Sequence, residues 1–475
     1  MDAINFDKAL STILSAVQPL PAENVSLDHA LGRVTAARVV ADEDAVPFPR
    51  SAMDGYAVRA SECTLAIQGN PIELPVAGQV FAEKGESTLA PGTALTITTG
   101  APIPRGADAV IPHERTEQLG ASIRFFAPVA PGDSVFPPGE DFRRGDELVA
   151  AGEVLIPGKL ALLAFAGKHS VCAFRRPRVV IVCTGNELVD VAATPARGQV
   201  RNSNVVALSA LVLAAGGEPR YEGVALDDRA SLAAILQRAQ RGADLLITTG
   251  GASAGERDFV KSVLTGLGAE FRFSQVQMRP GRPFGFATWD GMPVCVLPGN
   301  PAAAFVCFHK LVGPTLARLS GRRVTELPRL HARLDTELHA RPGRPHFVLA
   351  RVHCEAEGFV VKPLANQCSA LVRTAADANA IVTVHEKTGE SAAGLRRGEM
   401  VDVEVFDWPS VFVSSSSLFP LRSSSMGKPT APPLMAATPT RIKAATISQA
   451  LTGTDRMELN LASLSFAGEA IRSDK

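Results

Sequence analysis

Three stretches in the middle of the chain end in residues suited to holding phosphate and metal. RPRVVIVC runs into Thr184-Gly185-Asn186-Glu187, RYEGVAL into Asp227-Asp228, and ADLLI into Thr248-Thr249-Gly250-Gly251. The third continues through Ser253 and Gly255 to Asp258, where a helical pattern begins. A strand, a Gly/Ser/Thr loop and a helix start together offer backbone N–H groups and a positive dipole end, which favours phosphate. The same residues also fit an ordinary βα turn with Asp258 as helix cap. Carboxylates repel phosphates unless a cation lies between them. Mg²⁺ is the natural bridge, because it binds through one or two carboxylates plus phosphate oxygens. Asp227, Asp228 and Asp258 are the candidates, against a solvated turn at the first two. Arg279-Pro280-Gly281-Arg282-Pro283 then sets two guanidinium forks on a stiff turn, suited to clamping an oxyanion. Leu297-Pro298-Gly299-Asn300-Pro301 offers nearly bare backbone at a helix start, where a flat ligand can approach closely. No Ser-His-Asp or Cys-His arrangement is evident, so the chemistry expected is electrostatic positioning without a covalent nucleophile.

Such groups need a rigid mount, and residues 178–320 supply one. Buried strands alternate with helices at SNVVALSALVLAAGG, RASLAAILQRAQRG, DFVKSVLTGLG and PAAAFVCFHKLVGPTLARLSG. EFRFSQVQM reads as a further strand, and FGFATW pairs with PVCVLPG across Asp290-Gly291 as a hairpin. This alternation predicts a mostly parallel, doubly wound α/β sheet, whose ligands bind beyond the carboxyl ends of the strands. Upstream, residues 5–17 and 158–167 read as helices, and Leu27 to Val39 as a second short helix. Between Val46 and Leu148 short β-type runs are split by Gly and Pro. Residues 328–407 return to β patterning, as a small barrel or sandwich. Residues 409–475 are serine-rich and then Pro-rich, and read as a linker and disordered tail.

Composition narrows the function. Lys+Arg 48 against Asp+Glu 48 leaves a formal net charge of 0, so no whole-chain field attracts nucleic acid or an anionic membrane. The hydrophobic fraction of 46% supports real cores across 475 residues, enough for roughly three domains. The apolar stretch from Val205 to Ala215 is far short of a membrane span of about 20 residues. The segment MDAINFDKAL carries acids and no apolar core, unlike a secretory leader. The Cys 7 are scattered without a C-x-x-C pair, which suits reduced thiols and a cytoplasmic location.

Taken in order, SAMDGYAV, TTGAPIP-x-GAD, GED, TGNEL, TTGGASAGERD, RPGRPFGF and LPGNP resemble the molybdopterin molybdenumtransferase family, bacterial MoeA and the gephyrin E domain. The resemblance spans about residues 5–407. It implies a discontinuous helical linker domain (1–45 and 146–176), a β-rich domain (46–145), an α/β molybdopterin-binding domain (177–325) and a C-terminal β-barrel (328–407). The implied reaction inserts molybdate into adenylylated molybdopterin and releases AMP with Mg²⁺, in molybdenum cofactor biosynthesis. The implied assembly is a homodimer with the active site between subunits, in contact with other cofactor-biosynthesis proteins. Matched to the family's motifs, Asp54, Thr99, Asp141, Glu187, Asp228 and Asp258 take catalytic roles, with Asp228 and Asp258 at the metal. Thr249, Gly250, Gly251, Ser253, Gly255, Arg279, Arg282, Pro298, Gly299, Asn300, Arg351 and Ser369 take binding roles. The family usually has lysines where this chain has Arg279 and Arg282, and Asp where it has Asn186. Its Gly-rich fourth-domain motif here reads Asn366-Gln367-Cys368-Ser369-Ala370. Two further readings stand beside insertion: a non-catalytic binding or scaffold paralogue, and the adenylylation step itself.

Overall fold

Arg178–Thr184 is exposed only at its first residue, as an apolar run in mid-sheet must be. Glu218–Ala225 pairs parallel on one side of it and Leu245–Thr249 parallel on the other. Met292–Leu297 joins parallel to Leu245–Thr249. Gly285–Trp289 returns antiparallel to Met292–Leu297, and Glu270–Phe273 closes the edge. The hairpin turn has φ of 49° at Asp290 and 80° at Gly291, the paired positive values of a tight primed turn. Successive strand residues point to opposite faces, so Val179 and Ile181 enter one core with Leu208 and Val212. Val180 and Val182 enter a second core with Leu232 and Leu236. The doubly wound expectation holds, with an antiparallel hairpin completing the sheet.

The computed structural model describes residues 3–82, 87–251, 259–323, 326–340, 344–385 and 393–409. The expected tail beyond Pro409 lies outside them. No helix among the described residues is long and apolar enough to cross a membrane.

The helix Phe6–Ala16 starts at Asn5, whose Oδ1 accepts from the N–H of Asp7 (2.9 Å) and Lys8 (3.3 Å). Its Phe6, Ala9 and Ile13 enter the same core as Val179 and Ile181. Ile4–Asn5 pairs parallel with Val276–Gln277. The expected strand EFRFSQVQM therefore divides in two, one part in the main sheet and one against the chain's beginning.

The helix expected from Leu27 to Val39 does not form. Only Leu27–His29 makes a 3₁₀ turn, and Val39–Val40 is a strand against Glu147–Val149. Gly32 has a φ of 76°, which ends the turn, and the β-branched Val34 and Thr35 then bridge to Val154 and Ala173 in extended form. The buried Thr35 hydroxyl donates to the Ala150 carbonyl (2.7 Å) and fixes this course. The helix Pro157–Phe165 forms as expected. The long helix after Asn300 runs as Pro301–Cys307, a π-turn Phe308–Val312 and Gly313–Leu319. Pro314 explains the widening: it has no N–H for the Lys310 carbonyl, and its ring crowds that oxygen.

The early β runs form a six-stranded sheet in the order Ala109–Pro112, Gly55–Val58, Ala94–Ile97, Ile72–Val80, Ser122–Phe125, Thr116–Leu119. Arg329–Leu334, Gly358–Pro363, His346–Glu355, Ala380–Val384 and Met400–Val405 close into a five-stranded barrel. Its interior is filled by Val348, Val352, Val382 and Val403. The barrel meets the long helix through Lys310, whose Nζ lies 2.6 Å from a Glu404 oxygen, both side chains nearly buried.

Candidate active site

A crevice of about 800 Å³ opens at the carboxyl ends of the parallel strands, the position at which a doubly wound sheet binds ligands. Thr184, Gly185 and Glu187 line it after the first strand, and Asp227 after the second. Thr249, Gly250 and Gly251 follow the third, and Pro298, Gly299 and Asn300 the last. Ala370 and Val372, from the segment after the barrel strand Gly358–Pro363, form a further wall.

The turns are built for close backbone approach. A Cβ on Gly250 would lie 2.3 Å from the Thr184 carbonyl oxygen, and one on Gly299 would lie 3.3 Å from Gly250 Cα. A Cβ on Gly185 would lie 2.6 Å from the Glu187 carboxylate, which folds back over the turn. Asn186 and Asp227 lock the first two strand ends reciprocally. The Asn186 N–H donates to Asp227 Oδ2 (3.3 Å), and the Asp227 N–H donates to Asn186 Oδ1 (3.0 Å). An Asn at this position makes the link without adding a second charge beside Asp227.

Asp228 points elsewhere. It caps the helix Arg229–Gln240, its Oδ1 accepting from the Ser231 N–H (2.8 Å), and it does not line the crevice. Ser253, Gly255 and Asp258 lie outside the described residues. Among those described, no group of three or more His, Cys, Asp and Glu could enclose a metal. Glu187 and Asp227 share the crevice, however, and Mg²⁺ needs only one or two carboxylates when phosphate oxygens complete its shell. That donor set fits.

Arg279 and Arg282 sit beside the crevice rather than on its wall, which Pro283 reaches. Main-chain bonds tie Arg279 to the barrel: its N–H donates to Pro345 O (3.0 Å), and its carbonyl accepts from Phe347 N (2.8 Å). This joint brings in Arg344 and His346. Burial, then Arg282 and Arg279, hold the Arg344 guanidinium below its ordinary pKa. Burial, Arg279 and Arg344 push His346 down to about 4. Cations crowd here and repel one another, a place that favours an anion. Gly281 is required in the turn, since a Cβ there would lie 2.5 Å from Cys307 Sγ.

Ser369 meets the last strand end. Its carbonyl accepts from the Ala302 N–H (3.0 Å), and its hydroxyl accepts from Asn300 Nδ2 (3.3 Å). Arg351 is exposed on the barrel strand His346–Glu355 and lines no part of the crevice.

Asp54 and Thr99 come together on the β-rich sheet. Asp54 Oδ1 accepts from the Thr99 N–H (2.7 Å) and hydroxyl (3.0 Å). These bonds, with His113 nearby, hold the Asp54 carboxyl below the usual carboxylate range. Asp141 is exposed on a bend whose neighbours Gly139 and Phe142 bond to the Ala45 main chain. None of the three lines the crevice of its own chain.

The sequence reading missed Arg201, Asn202, Ser203 and Asn204, which line the crevice at the start of the helix Ser203–Ala214. Arg201 is the cation on that wall among the described residues. The available signal was positional: in this fold, a helix that follows a sheet strand begins at the ligand side.

Fold and site thus define a multi-domain α/β protein with a charged crevice at its sheet's switch point. Residues 4–167 match the MoeA N-terminal region (domain I and II), 180–318 a probable molybdopterin binding domain, and 331–406 the MoeA C-terminal region (domain IV). Molybdopterin molybdenumtransferase 2 of Mycobacterium tuberculosis is 35% identical, over 82% of this chain and 96% of its own. The molybdopterin molybdenumtransferase of Bacillus subtilis is 33% identical, over 87% and 98%. The molybdopterin biosynthesis MoeA protein of Pyrococcus horikoshii superposes with a TM-score of 0.73 at 29% identity, covering 85% of this chain and 100% of that one. The chain belongs to the MoeA family of molybdopterin molybdenumtransferases.

Proposed function

We propose that this chain inserts molybdate into adenylylated molybdopterin and releases AMP, as a cytoplasmic homodimer that uses Mg²⁺. The observation that carries the reading is the junction of two sites. A crevice with bare glycine turns and two carboxylates lies one residue from a cluster of three arginines. The turns of Gly250-Gly251 and Pro298-Gly299 suit a flat pterin and its phosphates, with Arg201 facing their charge. Glu187 and Asp227 are the residues that would hold Mg²⁺, which when bound neutralises phosphoanhydride charge. Arg279, Arg282 and Arg344 would hold the molybdate oxyanion at the crevice edge. Their forks offer paired donors and orient the anion more firmly than lysines would.

Dimerisation is supported by the helix Ser203–Ala214. It is apolar all round, with Val206 57% and Leu213 61% exposed on its outer face. A helix apolar on every side belongs in an interior, and a second subunit would supply one. Such a pairing would also give Asp54, Thr99 and Asp141 a crevice to face.

The test is AMP release from adenylylated molybdopterin by the purified protein with Mg²⁺, with molybdate supplied or omitted. Molybdate-dependent release, with molybdenum retained on the pterin, is the expected result. Tight pterin binding with no release would instead mark a binding protein of the same fold.

A further inference from the structure

We propose that Asn204 is a positioning residue, whose side-chain amide clamps the two glycine turns that form the crevice floor. The inference rests on the crevice being the pterin-nucleotide site. Asn204 Nδ2 donates to Thr249 Oγ1 (3.1 Å) and to the Gly299 carbonyl (2.8 Å). Thr249 Oγ1 passes its own proton on to the Pro298 carbonyl (3.1 Å). A carbonyl accepts only, so the amide orientation is fixed by chemistry and both Nδ2 hydrogens are used.

The clamp matters because little else holds these turns in register. Past the strand pair Thr249 and Leu297, one backbone bond among the described residues joins them, from Gly250 N to Leu297 O (3.3 Å). Gly250 (φ 93°) and Gly251 (φ 59°) have backbone freedom that no side chain restrains. Asn204 reaches both turns from a third element, the helix Ser203–Ala214. The helix start itself does not depend on it, since Asn202 Oδ1 accepts from the Val205 N–H as the cap. Removing the amide therefore loosens the floor and leaves the helix in place.

The experiment compares Asn204→Ala, Asn204→Asp, Thr249→Val and Thr249→Ser in the full-length protein, by two readouts. The first is amide hydrogen exchange at Gly250, Gly251, Gly299 and Asn300 without ligand. The second is affinity for adenylylated molybdopterin alongside turnover. The first three variants should exchange about tenfold faster at these amides and bind about tenfold more weakly, as loss of one or two hydrogen bonds implies. kcat should change less than KM. Thr249→Ser keeps the hydroxyl relay and should exchange at these amides as slowly as wild type. The double variant Asn204→Ala with Thr249→Val loses all three bonds, and its effect should exceed either single one yet fall short of their sum, because the Asn204–Thr249 bond is shared. Exchange unchanged in Asn204→Ala overturns the proposal, as does faster exchange with unchanged affinity. If the wild type does not bind adenylylated molybdopterin, the functional reading fails, while the exchange data still decide whether the clamp exists.

Discussion

Asp54 is exposed, yet its carboxyl stays ionised to lower pH than an ordinary surface aspartate. The cause is local: the Thr99 N–H contributes most, its hydroxyl next, and His113 adds a nearby charge. Each favours the carboxylate over the acid. A folded-state pKa below the unfolded value means that the charge is kept as pH falls, until the depressed value is crossed. Thr99→Val removes the hydroxyl and keeps the N–H, so the Asp54 pKa should rise part of the way toward the usual range. Carboxyl-carbon NMR titration measures this directly, and an unmoved pKa would show that the hydroxyl bond contributes nothing. If Asp54 works as an anion, the acid limb of the pH–rate profile should shift upward with it. Asp227 and Asp228 make the complementary point. They are adjacent and alike, yet Asp227 lines the crevice, bonded to Asn186, while Asp228 is taken up in capping a helix.

Elements decide which residues can meet. The Lys310–Glu404 pair joins the π-turn of the long helix to the last barrel strand, with side-chain exposures of 12% and 8%. The Lys310 ammonium also lies 4.8 Å from the Phe347 ring centroid. Removing one partner strands the other in a poorly hydrated place, which costs about 3–5 kcal/mol. Glu404→Gln should therefore lower stability by several kcal/mol in denaturant unfolding, and a change under about 1 kcal/mol would mean that water reaches the pair freely. This joint was not legible in the sequence, and the reason is general. Strand ends such as Thr184–Glu187 and Thr249–Gly251 announce themselves, because an apolar run stopping at Gly marks where a sheet meets its ligand side. The Asp290-Gly291 hairpin was legible for the same local reason. Arg344 comes close to Arg279 because Arg279 bridges to His346 on a strand distant in sequence, and no spacing encodes that. Leu27 to Val39 failed differently: its helical period was real, but Gly32 and a buried Thr35 bond to Ala150 outweighed it. Propensity is worth tenths of a kcal/mol per residue, so one fixed turn and one buried hydrogen bond suffice.

At the scale of the molecule, the motifs fall into two groups that a single chain keeps apart. Glu187, Asp227 and the glycine turns line the crevice, whereas Asp54, Thr99 and Asp141 belong to the β-rich part and do not. If both groups act in one reaction, a symmetric dimer that sets one subunit's β-rich sheet against its partner's crevice resolves the separation. The exposed Val206 and Leu213 supply an apolar surface for such a pairing. This arrangement makes a quantitative prediction. Asp54→Ala and Glu187→Ala should each abolish AMP release when purified alone. Dissociated, mixed in equal amounts and reassociated, half of the dimers become mixed, and each mixed dimer holds one intact site. Activity should then return to about a quarter of wild type, as random pairing of a two-fold dimer requires. If both groups serve the same subunit, every mixed dimer carries two broken sites and activity stays at zero. A Leu213→Glu background adds the control: it should yield monomers by light scattering, and mixing the two variants in that background should restore nothing. Activity in Leu213→Glu monomers that keep both Asp54 and Glu187 would place the whole site within one chain and remove the reason for the dimer.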